Sequence, residues 1–229
     1  MMLALCSLIL TVGLYFGAKW CYARRPKVYL SPLLTTPLLI VAVLLCTGIS
    51  YEAYNTGAQW LSDMLQPATI AFAVPLYKYF NVLKKHATEI IVSVLSGSLV
   101  AILSSLAIAK GLHLQQQIVD SLVPRSVTTP IAMGVSESIG GVPTITAVFV
   151  IMTGLLGAVI GPVIIRMLRI ENEIAQGVLL GTAAHGAGTS KAFECSAVAG
   201  TISSLSMILA ALVTLCVTPW IMSLMLVMF

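Results

Sequence analysis

Charge is what this 229-residue sequence has least of: 9% of its residues are Asp, Glu, Lys or Arg, against 59% hydrophobic, and the mean hydropathy is +1.02. So few charges cannot clothe a soluble core, which excludes an ordinary soluble domain and makes lipid the expected solvent. The five cysteines (Cys6, Cys21, Cys46, Cys195, Cys216) form no C-x-x-C and do not group with the three histidines, so they read as small buried hydrophobes. No P-loop, Rossmann fingerprint, G-x-S-x-G elbow or H-E-x-x-H is present. Neither ATP drive nor serine or zinc hydrolysis has support, and no enzyme, catalytic residue, metal or cofactor is expected. The net charge of +4 sits in short loops as topology signals and forms no nucleic-acid patch.

What the chain does have is long stretches free of Lys, Arg, Asp and Glu, over residues 1–18, 31–51, 64–77, 90–109, 139–165, 174–190 and 195–229. A transmembrane helix needs about 20 mainly apolar residues to cross about 30 Å of hydrocarbon. The expected fold class is therefore an all-α polytopic integral membrane protein of about six to eight helical elements, some of them broken or re-entrant. The first stretch has no positive n-region, and Lys19, Arg24, Arg25 and Lys27 follow it, so it reads as an anchored helix with its N-terminus outside. The positive-inside rule places residues 19–27 in the cytoplasm, an acidic loop with Glu52 and Asp63 outside, and Lys84, Lys85 and His86 inside again.

That alternation fails at "LVPRSVTTPIAMGVSESIGGVP", residues 122–143, unless this stretch enters and leaves the membrane on one face. With a re-entrant or broken segment here, Arg166 and Arg169 return to the cytoplasm. Irregular backbone at membrane depth is tolerated where it is buried in protein or lines a wet cavity, so the stretch points to a site. The alternative is a loop between two ordinary helices, with Arg125 as a surface anchor.

An internal repeat supports the first reading. "LQPATI" (residues 65–70) and "LVPRSV" (residues 122–127) match at a proline offset of 57, Pro67 to Pro124, and Ser96-Gly97 and Leu99 correspond to Thr153-Gly154 and Leu156 at the same offset. Secondary transporters are commonly built from such repeats, with discontinuous helices whose N-termini face an anionic substrate. Pro67, Pro124 and Pro130 suit the first turn of a helix, where a missing N–H is no loss. The exposed N–H groups of that turn attract anions. Ser126, Thr128 and Thr129 are candidate hydroxyl donors, and Arg125 is a bidentate partner for a carboxylate. Alternatively these hydroxyls, and Thr69, satisfy backbone groups freed by the prolines.

A second polar interruption is "GVLLGTAAHGAGTSKAFE", residues 177–194. An ionisable residue inside a membrane is a functional hypothesis by default, and His185 stands among Gly181, Gly186 and Gly188 as a candidate for substrate or proton duty. The spacings Gly157 to Gly161 and Gly177 to Gly181 read as helix-packing faces. Lys191 and Glu194 either pair or mark the end of a crossing. Glu137, beside Gly140-Gly141, is either a proton-linked carboxylate or a headgroup-layer residue.

Residues 122–162 followed by "GVLLGTAAHGAGTSKAFE" resemble the LrgB/CidB family of bacterial inner-membrane proteins, and "LQPATIAFAVPLYK" resembles its third motif. The family's signature residues fall on Pro67, Pro124, Ser126, Thr128, Thr129, Pro130, Gly140, Gly141, His185, Gly188 and Thr189. The resemblance implies one multi-pass domain over residues 1–229, in the inner membrane of a bacterium. Residues 1–66 are expected to form N-terminal scaffold helices and residues 67–229 a repeat-containing core. Staphylococcal members imply an antiholin-like regulator of murein hydrolase activity and programmed cell death with a small LrgA/CidA-type partner. Other relatives imply transport of pyruvate, glycolate or glycerate. Combined with the residues themselves, this gives an expected transporter of small monocarboxylates working by alternating access of a mobile core, elevator fashion. Its site would comprise Thr69, Arg125, Ser126, Thr128, Thr129, His185 and Thr189, with His185 or Glu137 carrying a proton; membrane lipid and a second copy are further expected partners.

Overall fold

The computed structural model describes residues 2–25, 30–64, 67, 70–71 and 73–228, and among these there is helix and no strand. Two compact units are distinguished, Met1–Ala73 and Val74–Phe229.

The first unit contains α1 (Met2–Arg24), α2 (Pro32–Thr47) and α3 (Tyr51–Asp63). Here α3 corrects the sequence reading, which left Glu52 and Asp63 in an acidic loop. Ser50 caps the helix, its Oγ accepting from Ala53 N at 3.3 Å, and Glu52 lies in the first turn, where the helix dipole favours an anion. A search for long apolar runs misses such a helix because it is amphipathic. It packs on α1 at Gly57, where an added Cβ would strike the Ala4 backbone. Thr11 donates to the Ser7 carbonyl (2.8 Å), which leaves the Tyr54 hydroxyl as donor to Thr11, also at 2.8 Å.

The second unit begins with two short helices, α4 (Ala73–Lys78) and α5 (Phe80–Lys85), and continues through α6 (Ala87–Gly111). Next come α7 (Gln116–Leu122), a 3-10 turn (Val123–Ser126), α8 (Thr129–Ser138), α9 (Pro143–Met167), α10 (Glu173–Cys195) and α11 (Ala197–Met228). Among the described residues four helices, α1, α6, α9 and α11, are long and apolar enough to cross a membrane. At 1.5 Å per residue, the 25 residues of α6 and of α9 reach about 37 Å, enough for the hydrocarbon core with some tilt.

Helices α6 and α9 end in the same Schellman cap: Leu114 N donates to Ala109 O (3.1 Å) as Ile170 N does to Ile165 O (2.9 Å). His113 (φ 52°) and Arg169 (φ 53°) hold the left-handed position. The helices register at an offset of 56, from Ala87 to Pro143, one less than the proline match gives. The "LQPATI" half of that match lies largely outside the described residues, as does Thr69.

Burial is arranged for lipid. The inner side of α11 is small and hydroxylic (Thr201, Ser203, Ser204, Ser206), whereas Leu212, Leu215, Trp220 and Leu224 of the same helix are exposed. Helix association in a membrane relies on such close small-residue contact, because lipid tails are as apolar as leucine. All five cysteines are exposed, a correction to their reading as buried hydrophobes. Apolar residues need not be inside when the solvent is itself apolar.

Candidate functional site

Residues 116–142 fold back on themselves. The chain runs in through α7 and the 3-10 turn, turns at the extended pair Val127 (φ −118°, ψ 179°) and Thr128 (φ −63°, ψ 144°), and returns through α8. Its two ends are tied together: Val142 N donates to Ser121 Oγ at 2.8 Å, and Ser121 donates onward to the Gln117 carbonyl at 2.6 Å. Residue 142 therefore lies beside residue 121, and the segment is a hairpin with both ends on one side. At 1.5 Å per residue the ten residues of α8 rise about 15 Å, half the hydrocarbon thickness.

Further hydrogen bonds fix the hairpin base. Gly141 N donates to Ser136 O (2.8 Å), and Thr146 Oγ1 donates to Ser136 Oγ (2.6 Å). Gly140 turns the chain at φ 93°, and Gly141 has no room for a side chain: a Cβ there would meet Ser136 Oγ and lie 2.8 Å from Ser121 N. Asp120, 5% exposed, is held here by Gln116 Nε2 at 2.7 Å. Sequence reasoning did not pick out this carboxylate.

Pro124 and Pro130 differ in setting. Pro130 is in the first turn of α8, which starts afresh after the extended pair. Pro124 is in the first turn of a 3-10 segment that continues α7, so the half-helix N-terminus of this hairpin follows Thr128 and not Pro124. Arg125 and Ser126 occupy the tip, both half-buried, and Arg125 Nη1 donates to Thr153 Oγ1 on α9 at 3.4 Å. Among the described residues the hydroxyls of Ser126, Thr128 and Thr129 have no side-chain hydrogen bond. Glu137 is exposed near the end of α8.

The second discontinuity is inside α10, at Ala184 (φ −135°, ψ 15°) and His185 (φ 38°, ψ −126°). No proline causes it. His185 holds a backbone conformation that side chains rarely adopt, and such strain costs about 1–3 kcal/mol. Its ring repays part of this. Nε2 donates to the Val150 carbonyl at 3.1 Å, and the ring fills a slot over Gly154, where a Cβ would lie 2.7 Å from Cε1. Past the kink, Gly188 lies against the Leu180 carbonyl of the first half, while Gly186 faces open space. Thr189 is 2% exposed and turned away, its Oγ1 sharing a hydrogen bond with Ser203 Oγ at 2.9 Å. Lys191 and Glu194 pair at 2.7 Å.

Arg125 at the hairpin tip and His185 at the kink each contact α9, at Thr153 and at Val150 with Gly154 respectively. Beside Arg125 a cavity of about 390 Å³ is lined by Ser93 and Gly97 of α6, Arg125 and Ser126 of the tip, and Thr182 and Ala183 before the kink; Thr128, Thr129, His185 and Thr189 are not in its lining. The buried Thr182 Oγ1 has no hydrogen-bond partner. A half-buried guanidinium with hydroxyls nearby suits a small anion. Ser93, Thr153 and Thr182 were not picked out from sequence, because a hydroxyl within an apolar helix ordinarily bonds its own backbone. The paired glycines are packing contacts: Gly157 and Gly161 against Ala184 and Leu180, Gly177 and Gly181 against the α11 backbone at Ala199 and Ser203.

The class that this fold defines is an all-α, multi-pass membrane protein with a re-entrant hairpin and a broken helix at its polar centre. The chain belongs to the LrgB-like family, which it matches over residues 11–224. It is 64% identical over 225 residues to the uncharacterized protein YwbG of Bacillus subtilis (strain 168), covering 98% of this chain and 100% of that one. To YxaC of the same organism it is 40% identical, over 91% of each chain. To the holin-like protein CidB of Staphylococcus aureus (strain N315) it is 36% identical, over 94% of each. No solved structure matches it.

Proposed function

We propose that this chain is a holin-like protein of the bacterial inner membrane: an antiholin-type regulator of murein hydrolase activity and programmed cell death, working with a small LrgA/CidA-type membrane partner. The observation that carries this reading is the match to a protein named holin-like over 94% of both chains. Co-expression of the chain with a small LrgA/CidA-type membrane protein should change murein hydrolase bands in zymograms of the culture. Unchanged zymograms and unchanged lysis, with both proteins in the membrane, would sink the proposal.

A second reading is favoured by the cavity at Arg125: secondary transport of a small monocarboxylate such as pyruvate, lactate, glycolate or glycerate. A regulator without a substrate has little reason to keep a half-buried guanidinium, which is costly in a membrane. In this reading Arg125 is the counter-charge, Ser126, Thr128 and Thr129 at the tip donate to the carboxylate, and the core moves by alternating access. His185 acts on the keto or hydroxy group or carries a proton through Nδ1, since Nε2 is bound to Val150 O. Proteoliposomes holding the purified chain should show saturable uptake of labelled pyruvate or glycolate, reduced at least about tenfold by Arg125→Gln. Absence of uptake by folded protein, alone and with the small partner, rules this reading out.

A further inference from the structure

The second unit carries another concavity, away from Arg125. A groove of about 450 Å³ runs between α4, α5, α6 and α11; Leu83, Ile90, Leu205 and Leu209 line it, Tyr77 and Phe80 stand at its mouth, and Lys84 is the one charged residue in its lining. Its floor is buried, Ile90 being 1% exposed, and its rim is open, Tyr77 being 87% exposed.

The charge at its end is unbalanced. Lys84 and Lys85 lie together in the last turn of α5, with Lys78 closing α4. None of the three has an ion pair among the described residues. The acid nearest in sequence, Glu89, is occupied by His86 Nδ1 at 2.9 Å. An apolar groove with cations at one end has the layout of an amphiphile with an anionic head, and basic pockets between membrane helices on the cytoplasmic side bind such lipids.

We propose that this groove is a binding site for an anionic phospholipid, phosphate on Lys84 and Lys85 and one acyl chain along Leu83, Ile90, Leu205 and Leu209. A zwitterionic lipid fits less well because its choline cation meets the same lysines. The full-length chain in detergent, offered dioleoyl phosphatidylglycerol or dioleoyl phosphatidylcholine, is examined by native mass spectrometry for retained lipid. The wild-type protein should prefer phosphatidylglycerol at least about tenfold, and the double variant Lys84→Gln, Lys85→Gln should lose that preference. Leu209→Trp, which fills the groove, and Ile91→Trp, at its open rim, should each lose the bound lipid; unchanged thermal unfolding shows that they remain folded. Equal retention of both lipids by the wild-type protein overturns the proposal. So does a preference that survives both tryptophans, which would assign it to surface charge alone.

Discussion

The chain interrupts its helices twice at the polar centre, and by different means. In the hairpin the break comes from chain chemistry: Pro124, the extended pair Val127-Thr128, then Pro130, with Gly141 N and Val142 N satisfied at the base by Ser136 and Ser121. In α10 nothing in the local sequence forbids helix, and the kink rests on one imidazole with a positive φ, a carbonyl acceptor at Val150 and a slot over Gly154. The first break is specified locally and the second by tertiary contact. A locally specified break survives loss of its neighbours, and a tertiary one does not.

This difference predicts where substitution is costly. Gly154→Val should be worst, by about 3 kcal/mol, because it overfills the His185 slot. Combined with His185→Ala it should cost clearly less than the two single changes added, and full additivity in detergent unfolding would remove the slot from the account. Gly141→Ala should cost about 2 kcal/mol, since its Cβ meets Ser136 Oγ at the hairpin base. A neutral result would mean that the base can relax. His185→Gly should be more stable than His185→Ala by about 1 kcal/mol, because glycine adopts φ 38° without strain; the reverse order of melting temperatures would show that the kink has straightened. Thr189→Val should cost a similar amount, about 1 kcal/mol, for the lost bond to Ser203, with any transport or lysis phenotype retained.

The hairpin was legible in sequence because prolines and glycines state their backbone demands locally and because the alternation of basic loops fails there unless the segment turns back. The four long spans were legible from composition alone. The kink was only half visible: His185 and its glycines stood out, but the φ reversal depends on Val150 and Gly154, more than thirty residues earlier. Ser93, Thr153 and Thr182 became site residues only once helix rotation was known. Asp120 and α3 were missed because a polar stretch with some apolar period resembles a loop when the search is for long apolar runs.

The glycine contacts between α9, α10 and α11 also bear on mechanics. At Gly157, Gly177 and Gly181 the neighbouring helix leaves no space for a Cβ, at the last two because its backbone fills it. Surfaces in such contact resist shear, so these three helices form one stiff plate. Displacement of α6 against that plate is then left to the connection around residues 112–115, since residues 139–142 are pinned by Ser121 and Ser136.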